Sequence, residues 1–295
     1  MSYDLYLNSP DFSIEEFQSY FIDRKNYTLN DNQAWYENND TGVYFYFSFN
    51  DSPTEDEEVE DYSLLFNLNY FRPHFFSLEA ELELLNIINE FDFEIVDPQF
   101  NGMQGSKFTS TGFINAWNHG NESGYRIALD EKNTTEFVFA KPTNQLYDIW
   151  NWNFKREKRS AELEEDIFIP TIMMLLVDEM PYTAIVWPDA IPTFIPKVDY
   201  LYIPREELAP RKFFTKQKDN CLVKFDKALE MLLPFKSYDY EMEAYKIPNI
   251  STPEKIKNFI MNLKPYTEKV SLLNFDKVLN LEIIQKYNIN TKVKM

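Results

Sequence analysis

Cysteine, glycine and histidine are all scarce in this chain of 295 residues, which has one, six and two of them respectively. A single thiol, Cys221, cannot form an internal disulfide, so the sequence predicts a reducing compartment. The six glycines form neither a GxGxxG nor a GxxxxGK[ST] pattern. Because those patterns cradle phosphates, their absence argues against the common nucleotide-binding loops.

The two histidines, His74 and His119, belong to no metal-binding motif. Neither lies in an HExxH pattern, and neither has a second histidine at ligand spacing. We therefore expect no zinc centre and predict no cofactor and no metal ligands, although a site for Mg²⁺ or Ca²⁺ made only of carboxylates stays open.

Long apolar runs are also missing. The longest, at residues 172–177, is far below the roughly 20 residues that cross a bilayer. The first seven residues, MSYDLYL, lack the basic and apolar regions of a secretory signal. The sequence thus predicts a cytoplasmic protein that makes no membrane contact.

Basic residues are rare in one part of the chain. Residues 1–100 carry 22 acidic side chains but only three basic ones, whereas the remainder carries 26 of each, so the whole formal charge of −19 lies in the first hundred residues. Such a field repels nucleic acid and anionic membranes and attracts basic partners. We predict a basic protein partner and no nucleic acid; the alternative is that the charge serves solubility alone.

The densest acidic segment is the predicted partner-binding site. Like charges at this density favour a hydrated loop, which could dock a basic protein or could only protect sheet edges from aggregation. Its members are Glu55, Asp56, Glu57, Glu58, Glu60 and Asp61.

Aromatic residues, in contrast, are abundant, with 26 Phe and 19 Tyr, and they predict a core built from rings. Residues 3–7, 34–37, 43–49, 63–70 and 93–96 alternate as strands do. Ser13 and Glu16 form a capping box that begins a helix. A second helix is predicted over residues 77–91, with Leu78, Leu82, Leu85 and Ile88 facing inward. This order predicts an α+β protein with an N-terminal ferredoxin-like domain, βαββαβ with an extra strand.

A turn-rich segment at residues 97–105 contains Pro98, Gly102 and Gly105, which favours a domain boundary there. We therefore predict an acidic ferredoxin-like domain at residues 1–104 and a charge-balanced, mixed α+β domain at residues 105–295.

An enzymatic alternative rests on Trp187, Asp189, Asp199 and Arg205, which lie near the ends of predicted strands. Two carboxyl groups at a suitable separation in an aromatic cleft could perform acid–base hydrolysis. The alternative is that Trp187 is a residue of the aromatic core and has no role in catalysis.

Four segments of the chain carry a resemblance to known proteins: WYENNDTGVYF at residues 35–45, NYFRP at 69–73, WPDAIP at 187–192 and VDY at 198–200. Together they resemble segments of a group of uncharacterised bacterial cytoplasmic proteins. The resemblance extends to about residue 234. Some members of the group are similar in character to cytoplasmic immunity proteins that neutralise toxins. This resemblance implies an immunity-like role and carries over no functional residues.

Taken together, these patterns predict a non-enzymatic, cytoplasmic binding module for a basic partner, with an immunity-like role as one form of it. The alternative is a hydrolase with a carboxylate and aromatic pocket. A third hypothesis is a structural or assembly component, which large exposed apolar patches would favour.

Overall fold

A computed structural model describes residues 1–50, 62–99, 107–130, 137–163, 166–212, 215–216, 218–238, 242–248, 252–287 and 291–295. These residues form a mixed α+β protein, as the composition and periodicity predicted. The helices are α1 (Ile14–Phe21), α2 (Phe75–Phe91), α3 (Ser110–Asp130), α4 (Thr143–Phe154), α5 (Arg156–Glu162), α6 (Phe225–Leu232), α7 (Glu254–Met261) and α8 (Leu281–Lys286).

The strands are β1 (Ser2–Asn8), β2 (Tyr27–Asn30), β3 (Gln33–Asn38), β4 (Val43–Phe49), β5 (Leu64–Asn69), β6 (Glu94–Val96), β7 (Phe137–Lys141), β8 (Met173–Val177), β9 (Met180–Val186), β10 (Phe194–Pro196), β11 (Tyr200–Arg205), β12 (Arg211–Lys212), β13 (Thr215–Lys216), β14 (Asp219–Lys224), β15 (Lys236–Ser237), β16 (Ala244–Lys246), β17 (Val270–Leu273), β18 (Val278–Asn280) and β19 (Lys292–Lys294).

The chain divides into two compact units. The first contains residues 1–147 and 275–293, and the second contains residues 148–274 and 294–295. This division differs from the boundary at residue 104 that the sequence predicted. The reason is long-range: helix α3 packs against α2, and β18 pairs in parallel with β7, so residues on both sides of the second unit join the first.

The first unit contains a six-stranded sheet in the order β2-β3-β4-β5-β1-β6, in which every neighbouring pair is antiparallel. Alternate side chains of each strand face the helices. Leu5, Phe47 and Phe66 are among them and are fully buried. Ring contacts join strands to helices, as where Phe113 of α3 meets Phe66 with ring centroids 5.8 Å apart. Aromatic packing therefore builds this core, in agreement with the composition.

Local sequence signals account for the first elements of the unit. The capping box that begins α1 is present, with Ser13 Oγ accepting from the Glu16 amide and Glu16 accepting from the Ser13 amide. The β3–β4 hairpin closes at Gly42, whose φ of +73° is a conformation that glycine adopts without strain. Strand β2 is only four residues long, and among the six strands of this sheet it is the one that the sequence prediction missed.

The buried face of α2 differs from the prediction. Leu82 is 37% exposed, whereas Glu79 is fully buried. A carboxylate tolerates burial when donors surround it, and Glu79 Oε1 accepts from Tyr36 Oη at 2.7 Å, from Asn38 Nδ2 at 2.7 Å and from Thr41 Oγ1 at 3.1 Å. This polar contact to the β3–β4 hairpin overrides the leucine pattern.

The second unit contains a five-stranded sheet in the order β14-β11-β9-β8-β17. Strands β8 and β9 form a hairpin whose turn residues, Asp178 and Glu179, both have positive φ, as a tight turn of this kind requires. Arg205, at the end of β11, is fully buried and donates to Asp219 of β14.

Within the residues described, none of the helices combines the length and the apolar character needed to cross a bilayer.

Candidate functional site

A groove of about 840 Å³ opens in the first unit, where β1 leaves the sheet. The turn at residues 8–12 forms one wall, and the C-terminal end of α2 with the beginning of β6 forms the other. Lys107 and Phe108, just before α3, complete the lining. We call this cavity the acidic groove.

The floor of the acidic groove is aromatic. Phe12 meets Phe91 and Phe93 edge to face, with ring centroids 4.8 Å away in both cases. Phe12 and Phe93 are buried, at 8% and 5% exposure. Edge-to-face packing of three rings fixes their positions, so the floor is a preformed apolar surface.

The rim of the groove is mainly anionic. Asp11, Glu16, Asp92 and Glu94 are exposed there, with Lys107 as the only base among the lining residues. Asp92 ends α2 in the left-handed region, at φ +50°, and its amide donates to Ile88 O. Glu16 is held by the capping box. The groove therefore presents carboxylates around rings, an arrangement that attracts a cation with an apolar stem.

The predicted partner-binding residues Glu55, Asp56, Glu57, Glu58, Glu60 and Asp61 lie outside the described residues. The residues that flank their segment are described. Asn50 Nδ2 donates to Tyr62 O at 3.0 Å, and the Ser9 amide donates to Ser63 Oγ at 3.2 Å. Because Ser9 lines the groove, the described residue Ser63 lies beside the groove.

The residues of the alternative pocket make bonds within the second unit. The fully buried Trp187 donates from Nε1 to Ile191 O at 2.9 Å. The Asp189 carboxylate accepts from the amides of Glu206, Glu207 and Leu208 at 3.0–3.1 Å. Asp189 therefore satisfies three consecutive backbone donors of the loop after β11.

The other two pocket residues also bridge strands and loops. Asp199 Oδ2 accepts from the Thr183 amide and hydroxyl, both at 2.8 Å. Arg205 donates to Asp219 and to Ile260 O. Each of the four residues therefore makes structural hydrogen bonds within the second unit. That the four form one hydrolytic site stays a prediction.

A polar cluster around Asn280 in the first unit also contains a titratable group. Asn280 Nδ2 lies 2.8 Å from His74 Nδ1 and donates to Thr143 Oγ1 at 3.0 Å, and its Oδ1 accepts from the His74 amide. Because an amide nitrogen only donates, His74 Nδ1 must accept and the ring proton lies on Nε2. Burial lowers the pKa of His74 to about 4, although the charge of Glu282 opposes the shift.

The lowered pKa of His74 predicts a specific loss of stability in acid. The unfolded histidine takes up a proton near pH 6.5 and the folded one only near pH 4. The contribution of His74 to the free energy of unfolding is therefore fully present above pH 6.5. It falls by about 3 kcal/mol as the pH drops to 4, and this group causes no further loss below that pH. We expect His74→Gln to flatten this slope when the free energy of unfolding is measured across the same range. Parallel curves for the two proteins would contradict the assignment.

Among the described residues, no group of three or more histidine, cysteine, aspartate or glutamate side chains is arranged to hold a metal ion. The acidic groove itself was not found from sequence. Asp11 and Glu94 are more than eighty positions apart, and each is an ordinary surface carboxylate by its local pattern. The one available signal was a group of phenylalanines at helix ends: Phe12 lies just before α1, and Phe91 and Phe93 lie at the end of α2.

No family model, no curated protein and no solved structure matches this chain.

Proposed function

We propose that this chain is a non-enzymatic binding protein whose first unit engages a basic protein partner at the acidic groove. The observation that carries the proposal is the charge of the two units. Counted over their sequences, the first has 28 acidic and 10 basic side chains, a net charge of −18, and the second has 20 and 19, a net charge of −1. The charge asymmetry therefore persists with the unit boundaries of the structure.

Charge complementarity selects the class of partner. A unit of this charge speeds encounter with a basic protein and resists phosphate backbones. The aromatic floor of the groove adds a reason for binding at one place, because a concave surface lined by rings with a few charged groups around it is typical of binding sites. An immunity-like role is the form of this function that the sequence resemblance implies.

We also infer that the elements from β1 to β6, with α1 and α2, form an elaborated ferredoxin-like unit. The antiparallel order β6-β1-β5-β4 supports this, since it follows the 4-1-3-2 order of that fold with α1 after the first strand and α2 after the third. Strands β3 and β2 then extend the sheet beyond the core of four.

The proposed site predicts binding of a short peptide that alternates lysine with phenylalanine and leucine. Reversing two rim charges in Asp11→Lys with Glu94→Lys should weaken the peptide about tenfold or more, and rising salt should weaken it in the wild type, since both act on exposed charges. Isothermal titration calorimetry measures both effects. The matched control is Asp23→Lys with Glu37→Lys, which changes the net charge equally.

Neither control residue lines the groove. Glu37 is opposite Tyr44 at the beginning of β4, whereas the groove lies near the end of β4. Equal losses in the two double variants would mean that net charge alone attracts the peptide and would remove the groove from the proposal. A lysine–serine peptide that binds as tightly as the amphipathic one would remove the role of the aromatic floor.

A further inference from the structure

The six-stranded sheet has a second face, opposite to the buried one, and its side chains are half-buried or exposed. Four of them lie in register across the sheet. Trp35 of β3 is opposite Tyr46 of β4, Tyr46 is opposite Asn67 of β5, and Asn67 is opposite Asp4 of β1. We call these four residues the transverse row.

The transverse row places rings beside a carboxylate. The Trp35 and Tyr46 ring centroids are 4.7 Å apart at an interplanar angle of 33°, and Trp35 is 41% exposed. Asp4 accepts from Asn67 Nδ2. At about 4.8 Å between strands, Asp4 lies two strand spacings, about 10 Å, from the backbone of Tyr46. Partial burial and the Asp4 charge together raise the pKa of Tyr46, so the carboxylate is within electrostatic range of that ring.

Arginine is the cation whose shape fits such a row. Its guanidinium is planar, stacks on aromatic faces and pairs with carboxylates through several donors, whereas the lysine ammonium is a compact, strongly hydrated charge. The same unit already holds one arginine in this way. Arg24 lies 4.3 Å from the centroid of the Tyr20 ring and donates to Glu83 at 3.1 Å.

Charge excludes other occupants of the face. A second copy of the chain would bring another unit of net charge −18 against this one, and a nucleic acid would bring phosphates. The three arginines of the same unit are engaged elsewhere: Arg24 binds Glu83, Arg72 donates to Tyr44 Oη and Phe71 O, and Arg126 lies 5.3 Å from the centroid of the Tyr287 ring.

We propose that the transverse row binds an arginine side chain of the partner, with the guanidinium stacked on Trp35 and Tyr46 and turned toward Asp4. That a protein partner carries this arginine rests on the proposed function of this chain. The inference does not depend on the acidic groove, because none of the four residues of the transverse row lines the groove. It makes the partner arginine-bearing rather than merely basic.

Trp35 provides a direct reporter. The other four tryptophans, Trp117, Trp150, Trp152 and Trp187, are between 0% and 8% exposed. We would titrate the full chain with argininamide and with lysinamide at constant ionic strength and follow tryptophan fluorescence and the indole N–H signals in NMR spectra. Argininamide should give a saturable change in Trp35 at a concentration about fivefold lower than lysinamide, since stacking favours the guanidinium.

Two variants test the geometry. Trp35→Leu, at an exposed position, should abolish the fluorescence change, and Asp4→Asn should weaken argininamide severalfold while retaining a side chain that can bond Asn67. Equal responses to the two amides, or an unaltered response in Asp4→Asn, would overturn the proposal.

Measuring both the peptide and the two amides distinguishes failure of the transverse row from failure of the acidic groove. The groove variant Asp11→Lys with Glu94→Lys should keep its preference for argininamide over lysinamide even where it loses the amphipathic peptide. If the wild-type chain fails to bind the peptide but prefers argininamide, only the groove proposal fails. If it binds the peptide but responds equally to the two amides, only the proposal for the row fails.

Discussion

Replacing Asp219 with alanine should lower the free energy of unfolding by about 3–5 kcal/mol, the usual cost of leaving a buried charge without its partner. Arg205 is fully buried, and its guanidinium meets Asp219 through two parallel bonds, Nε to Oδ1 at 2.7 Å and Nη2 to Oδ2 at 2.8 Å. The third nitrogen donates to Ile260 O at 2.7 Å. Without the carboxylate, the guanidinium keeps only the carbonyl groups at the end of α7.

Urea unfolding followed by tryptophan fluorescence suits this test, because Trp150, Trp152 and Trp187 all lie in the second unit. The double variant Arg205→Met with Asp219→Leu is the control. It removes both charges and should recover much of the loss, since a well-packed apolar pair often replaces a buried ion pair without cost. An Asp219→Ala protein as stable as the wild type would show that the pair contributes nothing.

The second large effect is expected at Glu79. Alanine there removes the oxygen that accepts from Tyr36, Asn38 and Thr41, and all three of these residues are buried. Each unsatisfied buried donor costs about 1–3 kcal/mol, so we expect a loss of about 3 kcal/mol or more. Chemical denaturation measures the loss, and Glu79→Gln, which keeps one acceptor oxygen, should lose less.

Glu90→Ala is the matched control for Glu79→Ala. Glu90 lies on the same helix and is exposed, so its replacement should change stability by no more than about 0.5 kcal/mol. Similar small losses in both variants would mean that the hairpin relaxes and finds water for its donors.

The sequence predicted correctly those features that depend on residues within a single helix or strand. Ser13 and Glu16 specify the start of α1 through bonds three residues apart, and the strict alternation of β4 places its phenylalanines on one face. It failed where a distant residue decides. The exposure of Leu82 and the burial of Glu79 depend on donors about forty positions away, and no periodicity within α2 contains that information.

The candidate site was predictable in its charge and not in its geometry. The acidic excess of residues 1–100 is a property of composition, and the prediction of a basic partner rests on it. The groove depends on Phe12 meeting Phe91 and Phe93, and the transverse row depends on the register of β3, β4, β5 and β1. Register and long-range contacts come from packing of the whole unit, so local patterns could not supply them.

The parallel pairing of β18 with β7, from Val278 opposite Phe139 to Asn280 opposite Lys141, has a consequence for synthesis on the ribosome. The second unit lies in sequence between these partners, so all of residues 148–274 are made before the strand that completes the first unit. Most of the acidic unit precedes the second unit in the sequence, yet its contacts are complete only after residue 293 is synthesised. Until then, the strands of the six-stranded sheet, which all lie within residues 2–96, have neither β18 nor α8 available to them.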